Sequence, residues 1–283
     1  MRRMTARIAS STVAAYPFKR GKYFLRQFAA RHFLIGRTDM GHWVRISGVS
    51  GFEWKIFDSR YNEPQTIAAM KRLLRPGMTV FDIGANVGYY SLLAADLVRP
   101  SGHVHSFEPT PVVAERLEEN VMSNHLSPWV TVNAVAVGSG RGMAKFHLSL
   151  DDSEGNSIFA SEQTSQSISV PVMSVDEYIR DHELGAIDVM KIDIEGAEML
   201  ALQGARKLLT REDAPLLIIE VNPAALKSAG TTPTQLRSVI EAFGYKCFTL
   251  ELLSGRSDGA ANILAAKSIH TCIIGQCDLR PFG

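Results

Sequence analysis

From residue 79 to residue 267, short apolar runs alternate with longer amphipathic stretches. The runs have the length and the Val, Ile and Leu content of buried strands, and the stretches between them place apolar residues at helical spacing. This alternation predicts a parallel sheet covered by helices on both faces, that is, a doubly wound α/β fold. The predicted strands are residues 79–84, 103–109, 130–138, 187–196, 215–222, 245–251 and 261–267, and the predicted helices are residues 63–74, 88–98, 111–124, 197–209 and 232–244.

A polar stretch rich in Ser, Gly and Asp interrupts this alternation at residues 139–172. The segments FHLSL and SISVPV within it predict a hairpin. A hairpin inserted over the carboxyl edge of a sheet is well placed as a substrate lid, and a solvated surface loop is the alternative interpretation. The predicted organisation is an N-terminal extension over residues 1–58, an α/β domain over residues 59–268 and a C-terminal tail over residues 269–283.

The N-terminal extension differs from the rest of the chain in charge. Residues 1–37 contain nine of the 30 lysines and arginines and no acid, which leaves 21 bases against 29 acids in the remainder. Residues 22–35 predict a basic amphipathic helix, and WVRI and EWKIF within residues 40–58 predict short strands. We expect the helix to pack on the domain, with peripheral membrane or partner contact as the alternative.

The overall composition is that of an ordinary globular protein, with 46% hydrophobic residues and a net charge of +1. No apolar run reaches the roughly 18 residues of a membrane-spanning helix, and no apolar core of a secretory signal follows the first basic residues. The three cysteines lack metal-site spacing and are typical of a reducing cytoplasm, so we predict a cytoplasmic location. An acidic body without a basic, aromatic-rich stripe argues against a nucleic acid partner.

The stretch VFDIGANVGYYS, residues 80–91, marks the first strand-to-helix turn as a candidate ligand site. Gly84 and Gly88 flank the turn and allow close approach of the backbone to a ligand. Their spacing is neither the GxGxxG of dinucleotide binders nor a Walker phosphate loop, so a ligand without a pyrophosphate fits better. Asp82 lies inside the apolar strand, where an unpaired carboxylate is unfavourable, and we expect it to face donors or a ligand ammonium.

The second strand adds a carboxylate at the same edge of the sheet. Glu108 lies at the end of this predicted strand, 24 residues after Gly84. A carboxylate in this position can accept hydrogen bonds from both hydroxyls of a ribose. A ligand with a nucleoside and a charged amino acid end, S-adenosylmethionine, needs these groups together.

The motifs VFDIGANVGYYS, SFEP and VMKIDIEGAE, in this order, resemble the FkbM family of class I S-adenosylmethionine-dependent methyltransferases over residues 60–252. The resemblance implies a Rossmann-like sheet of seven strands in the order 3-2-1-4-5-7-6, and methyl transfer typically to oxygen. It makes residues 59–268 the methyltransferase domain. The cofactor-binding residues that it implies are Asp82, Gly84, Asn86, Gly88, Tyr89, Glu108, Pro109, Asn133 and Ala134.

Acidic residues at the ends of the fourth and fifth strands are the candidate catalytic groups. In KIDIEGAE, Lys191, Asp193 and Glu195 project to one face if the strand continues through them. Glu220 ends the neighbouring strand, so these acids are expected to converge. One of Asp193, Glu195 and Glu220 can take the acceptor proton. Alternatively they can hold Mg²⁺, which we favour less because Lys191 can pair with Asp193; that ion pair can also be purely structural.

The predicted function is O-methylation of a small-molecule or glycan acceptor, such as a sugar or secondary-metabolite hydroxyl. A nitrogen or lipid head-group acceptor is the first alternative, suggested by the basic N-terminus. A non-catalytic S-adenosylmethionine-binding module is the second. A nicotinamide oxidoreductase is disfavoured by the missing GxGxxG.

Overall fold

The computed structural model describes residues 34–46, 63–149, 164–252 and 261–270, together with two two-residue strands at Ala6–Arg7 and Arg280–Pro281. Three predictions lie wholly or largely outside these residues. They are the basic helix over residues 22–35, the strand at EWKIF and the tip of the hairpin over residues 150–163.

The central sheet confirms the predicted strand order. The strands are β1 (Ala6–Arg7), β2 (Leu34–Arg37), β3 (Trp43–Ile46), β4 (Thr79–Ile83), β5 (His103–Phe107), β6 (Val130–Asn133), β7 (Ala136–Val137), β8 (Gly142–Ser149), β9 (Thr164–Met173), β10 (Val189–Ile192), β11 (Leu216–Val221), β12 (Lys246–Leu252), β13 (Ala261–Ala266) and β14 (Arg280–Pro281). The central sheet has the order β14-β12-β13-β11-β10-β4-β5-β6. Without the short β14, which was not predicted, this is the order 3-2-1-4-5-7-6, and β13 is antiparallel to both of its neighbours.

Helices cover both faces of this sheet. They are α1 (Pro64–Leu73), α2 (Tyr89–Val98), α3 (Pro111–Ser123), α4 (Val175–Asp181), α5 (Glu198–Gly204), α6 (Arg206–Thr210), α7 (Pro223–Ser228) and α8 (Pro233–Ala242), with short 3₁₀ turns at Ser127–Trp129 and Ser268–His270. Successive strand residues enter different cores: Val80 packs with the side chains of α1, α2 and α3, and Phe81 packs with those of α4, α5, α6 and α8. This two-sided burial explains the continuous apolar runs of the sequence.

Several predicted elements are shorter in the structure. The strand predicted over residues 187–196 is β10, Val189–Ile192. It could not have reached residue 196, because Glu195 and Gly196 adopt φ values of +46° and +101° that no extended strand allows. The strand predicted over residues 130–138 divides into β6 and β7 at a tight turn in which Asn133 O accepts a hydrogen bond from Val135 N at 2.9 Å.

The helix predicted over residues 197–209 divides into α5 and α6. Asp176 accepts hydrogen bonds from the backbone N–H groups of Lys207 (2.8 Å) and Leu208 (3.0 Å) and so caps α6 separately. Two helices were not predicted although their N-cap residues are visible in the sequence. Ser174 and Glu177 form a capping box at the start of α4, and Asn222 caps α7.

The predicted hairpin is present as β8 and β9, which pair antiparallel and form a three-stranded sheet with β7. Its role as a lid stays a prediction, because the tip lies outside the described residues. A second three-stranded sheet, β1-β2-β3, packs on α3 through hydrogen bonds from Trp43 N to Asn124 Oδ1 (2.8 Å) and from Arg45 N to Asn120 Oδ1 (2.6 Å). No helix among the described residues has both the length and the apolar character needed to cross a membrane.

Candidate active site

The turn between β4 and α2 is built on three left-handed residues. Gly84, Asn86 and Gly88 have φ values of +83°, +49° and +95°. A Cβ atom at Gly84 would lie 1.8 Å from the carbonyl oxygen of Asp193, so only glycine fits between β4 and the segment that follows β10. Gly84 therefore serves the packing of the turn, and its role in the close approach of a ligand stays a prediction.

Glu108 lies directly beside this turn. Its side chain is buried and accepts hydrogen bonds from Asn86 N at 3.2 Å and from Thr110 N at 2.8 Å. Burial raises the pKa of Glu108, and the backbone hydrogen bonds from Thr110 and Asn86 oppose that rise. A carboxylate has about four acceptor sites, so the backbone leaves capacity for ligand hydroxyls at this strand end.

The residues predicted to border the adenine adjoin Glu108. Asn133 ends β6, and its carbonyl oxygen accepts a hydrogen bond from Glu108 N at 3.0 Å. Its side chain donates to Ser106 O at 3.1 Å. Ala134 is exposed, whereas Pro109 is buried. The structure thus places Asn133 and Ala134 at the end of β6, next to Glu108, the acid predicted to bind the ribose.

Asp82 has one partner for two carboxylate oxygens. Ser91 Oγ donates to Oδ2 at 2.5 Å and itself accepts from Ser106 Oγ at 2.8 Å. Oδ1 has no hydrogen-bond partner among the described residues, although the Asp82 side chain is only 2% exposed. Burial raises the pKa of Asp82, while the nearby Lys191 ammonium lowers it. Because an unsatisfied buried acceptor is unfavourable, this oxygen is suited to a donor that the described residues do not supply.

Two aromatic residues begin α2, and both are buried. The Tyr89 hydroxyl donates to Asp39 Oδ1 at 2.9 Å, which joins α2 to the N-terminal extension. The Tyr90 hydroxyl donates to the carboxylate of Glu63. The Tyr90 ring also lies under Lys191, with Nζ 4.6 Å from the ring centroid. Tyr89 thus adjoins the glycine turn, and Tyr90 reaches the side of the site formed by β10.

The predicted catalytic acids do converge. Asp193, Glu195 and Glu220, which we call the acid cluster, each bring one carboxylate oxygen to within 4.8 Å of the others. Asp193 and Glu195 lie in the loop after β10 rather than on a strand face, and Glu220 lies near the end of β11. Asn222 Nδ2 donates to Glu195 Oε2 at 2.8 Å.

Lys191 is a cationic neighbour of the acid cluster. It is 4% exposed, and its Nζ lies 2.9 Å from Asp193 Oδ2. Lys191 is also in register with Asp82 on the adjacent strand β4. Burial alone would lower the pKa of Lys191, but the carboxylates of Asp193 and Asp82 outweigh it and raise that pKa above its usual range. The ammonium therefore stays charged and cannot serve as a proton acceptor.

Two residues near the acid cluster were missed by the sequence analysis. Glu63 lies immediately before α1 and accepts a hydrogen bond from Asn262 Nδ2 at 2.7 Å. Asn262 is in register with Glu220, so both reach the same edge of the sheet. No sequence signal identifies this pair, because the two residues are 199 positions apart.

Glu198 is a buried acid beside the same loop. Its side chain is 2% exposed, Gly196 N donates to Oε1 at 3.1 Å, and Oε2 has no partner among the described residues. Burial raises the pKa of Glu198 to about 7. Between about pH 4.5 and pH 7 the folded protein therefore holds a proton here that an exposed glutamate would release.

This shift predicts a pH dependence of stability. The folded-state pKa of Glu198 lies above its unfolded value of 4.5. The contribution of Glu198 to the free energy of unfolding is therefore fully present below pH 4.5 and is lost as the pH rises to about 7. Glu198 should lower the free energy of unfolding of the wild type by roughly 3 kcal/mol as the pH rises over this interval. We expect Glu198→Gln to lack this decrease. Urea unfolding at several pH values would measure it, with Glu212→Gln at an exposed position as the control. Parallel stability profiles for wild type and Glu198→Gln would contradict the prediction.

The strand order, the antiparallel β13 and the glycine turn with an acid at the next strand end define the Rossmann-like fold of class I methyltransferases. The model of the methyltransferase FkbM domain matches residues 82–247, more than half of the chain, so the chain belongs to this family. S-adenosyl-L-methionine is the expected cofactor of that family. The matched residues include the glycine turn, Glu108 and the whole acid cluster, and they exclude Glu63 and Asn262.

Several characterised proteins are similar to this chain. The 31-O-demethyl-FK506 methyltransferase FkbM of Streptomyces tacrolimicus is 28% identical over 46% of this chain and 60% of its own length. The hexuronic acid methyltransferase AglP of Haloferax volcanii is 25% identical over 66% of this chain and 71% of its own length. The 2-O-methyltransferase NoeI of Sinorhizobium fredii is 27% identical over 49% of this chain and 62% of its own length. This chain thus spans less than two thirds of FkbM and of NoeI.

Proposed function

We propose that this protein transfers a methyl group from S-adenosylmethionine to a hydroxyl oxygen of a small-molecule or glycan acceptor. One observation carries the proposal. Two carboxylates, the buried Glu108 after β5 and the half-satisfied Asp82 near the end of β4, flank a turn of left-handed residues, and the acid cluster lies at the ends of the next two strands, β10 and β11. The names of FkbM and NoeI support oxygen as the methylated atom.

The residues present fit the proposed cofactor. Glu108 is positioned to accept hydrogen bonds from the ribose hydroxyls, since it is fixed by two backbone donors and lies at the end of β5. Asp82 Oδ1 is suited to accept from the ammonium of the methionine end. Gly84 and Gly88 leave the two ends of the turn without side chains. Asn133 and Ala134 are proposed to border the adenine.

When held by Glu108, Asp82 and the glycine turn, the cofactor would supply an activated methyl group to the acceptor oxygen, with the bonding electron pair left on sulfur. The protein orients the acceptor in line with that bond and excludes water. A carboxylate of the acid cluster takes the proton that the acceptor hydroxyl loses. Lys191 holds Asp193 in place through the 2.9 Å ion pair.

We further propose that transfer is metal-independent. Lys191 already occupies one oxygen of Asp193, and Asn222 occupies one oxygen of Glu195. Three converging carboxylates are nevertheless ligands that Mg²⁺ prefers. Activity that persists in excess EDTA would support metal independence, and activity restored only by Mg²⁺ would overturn it.

Two measurements test the proposed function. Calorimetry with S-adenosylmethionine, S-adenosylhomocysteine and NAD separates a methyltransferase from an oxidoreductase. Incubation with methyl-labelled cofactor and a panel of neutral sugars, uronic acids, macrolides, amino sugars and lipid head groups identifies the methylated atom by mass spectrometry. Label on nitrogen or on a lipid head group would overturn oxygen transfer to a small molecule, and absence of any cofactor binding would overturn the whole proposal.

Asp193→Asn should separate cofactor binding from turnover. The substitution keeps the shape of the side chain but removes the charge that orients or deprotonates the acceptor. We expect the affinity for S-adenosylhomocysteine to change little and turnover on the acceptor found by the panel to fall about 100-fold or more. Asp213→Asn, at an exposed carboxylate paired with Arg211, is the matched control. Unchanged turnover in Asp193→Asn would remove Asp193 from the catalytic residues.

A further inference from the structure

Helix α3 packs closely against the glycine turn, residues 84–88. A Cβ atom at Gly88 would lie only 2.4 Å from Leu117 Cδ1. Asn120, one helical turn further along α3, donates from Nδ2 to the carbonyl oxygen of Val87 at 2.8 Å. Val87 and Asn120 are both fully buried, so this hydrogen bond lies in a medium of low dielectric constant, which strengthens it. The position of the turn therefore depends on α3.

The same Asn120 side chain also holds the N-terminal hairpin, which consists of β2, β3 and the turn between them, residues 34–46. Its Oδ1 accepts a hydrogen bond from Arg45 N at 2.6 Å. Both partners of the amide are backbone groups with fixed roles, a donor at Arg45 and an acceptor at Val87. One side chain thus bridges a strand outside the matched family domain and a turn inside it.

The hairpin contacts the domain at other points as well. Val44 is fully buried in the core that contains side chains of α1, α2 and α3. His42 Nε2 lies 2.7 Å from Asp96 Oδ2 on α2. Tyr89, the first residue of α2, donates from its hydroxyl to Asp39 Oδ1 at 2.9 Å. The hairpin therefore touches the helix that begins at the glycine turn, in addition to its bridge to the turn itself.

Asn124 binds the same strand without this bridge. Its Oδ1 accepts from Trp43 N at 2.8 Å, and its Nδ2 donates to Trp43 O at 2.7 Å. Nδ2 also donates to Asn120 O at 2.7 Å. Within the part of the chain that the structure describes, Asn124 makes no hydrogen bond to the glycine turn. The two asparagines thus share the attachment of β3 and differ in their contact with the turn.

We propose, on the basis of the proposed function, that Asn120 is a positioning residue that couples the N-terminal hairpin to cofactor binding. It acts through the glycine turn rather than by contact with the cofactor. A turn that is already held in one geometry loses less conformational freedom on binding, so affinity rises. The coupling is reciprocal, because a ligand that favours this geometry of the turn also favours the docked hairpin.

Amide hydrogen exchange of the wild-type protein tests this coupling. S-adenosylhomocysteine should slow the exchange of peptides from residues 34–46 by about 3-fold or more. Exchange in α8, which packs on the opposite face of the sheet, should slow less. A hairpin that opens locally is protected by a ligand only if its docking and the binding of that ligand are linked.

Asn120→Ala and Asn124→Ala form a matched pair for the same measurement. Each removes hydrogen bonds to β3, so both should speed the exchange of the hairpin without ligand. Asn120→Ala should in addition lower the affinity for S-adenosylhomocysteine by roughly 3- to 10-fold, the effect of one lost hydrogen bond, and reduce the protection of the hairpin by the ligand. Asn124→Ala should stay within about 2-fold of the wild-type affinity and keep that protection.

The outcomes distinguish this inference from the proposed function. If S-adenosylhomocysteine does not bind the wild type, the proposed function is wrong and the inference falls with it. If the ligand binds but leaves the exchange of residues 34–46 unchanged, or if Asn120→Ala and Asn124→Ala lose affinity equally, the inference alone is wrong. Should Asn120→Ala not fold, the exchange of the wild-type hairpin with and without ligand decides.

Discussion

Gly84→Ala should destabilise the protein more than any other single methyl addition in the turn between β4 and α2. The new Cβ would lie 1.8 Å from the carbonyl oxygen of Asp193, a backbone atom that cannot rotate away. Gly84 also has a φ of +83°, which costs a non-glycine residue further free energy. We expect a loss of about 3 kcal/mol or more in the free energy of unfolding, measured by urea denaturation.

The chain offers a matched control for this substitution. A Cβ at Gly140 would meet no atom within 4 Å, and Gly140 lacks the left-handed φ of Gly84. Gly140→Ala should therefore change the free energy of unfolding by less than about 0.5 kcal/mol. Equal stability of Gly84→Ala and wild type would show that the close contact between β4 and the loop after β10 is not present in solution.

Glu108→Ala is expected to give the largest loss of cofactor affinity. The substitution removes the proposed acceptor of the ribose hydroxyls and leaves the N–H groups of Asn86 and Thr110 without their partner. The cost of about 1–3 kcal/mol for unpaired polar groups corresponds to a loss of roughly 5- to 150-fold in affinity. Calorimetry with S-adenosylhomocysteine would measure it.

Two comparisons make the Glu108 result specific. Glu108→Gln keeps an acceptor oxygen and should lose less affinity than Glu108→Ala, whereas Glu118→Ala, at an exposed position on α3, should lose none. The affinity for adenosine should fall by the same factor as the affinity for S-adenosylhomocysteine, because the proposed contact is to the ribose. An undiminished affinity in Glu108→Ala would place the ribose elsewhere.

Local sequence signals were sufficient to predict the glycine turn and the position of Glu108. Gly84, Asn86 and Gly88 belong to one strand-to-helix turn, and Glu108 follows the next strand along the chain. Consecutive parallel strands are usually neighbours, so their carboxyl ends meet at one edge. The place of Glu108 beside the glycine turn could therefore be predicted from spacing.

The surroundings of the acid cluster could not be predicted in this way. Its members were named from their strand ends, but the expected strand face is instead a loop in which Glu195 adopts a left-handed φ. The contact of Tyr90 with Lys191 and the bond between Glu63 and Asn262 join segments far apart in the chain. Such pairs depend on strand register and on the side of the sheet where each helix packs, and neither leaves a local pattern.

The sequence by itself determined the alternation of strands and helices, the sheet order through the family motifs, and the residues of the glycine turn with Glu108 after the next strand. Each of these depends on neighbouring residues, whose apolar spacing and backbone preferences act locally. Only the tertiary structure decided that the Lys191 ammonium, which pairs with Asp193, also lies over the Tyr90 ring, and that Glu63 reaches Asn262. Charge balance at the sheet edge is a property of groups brought together by folding, because Coulomb energies depend on distance in space rather than along the chain.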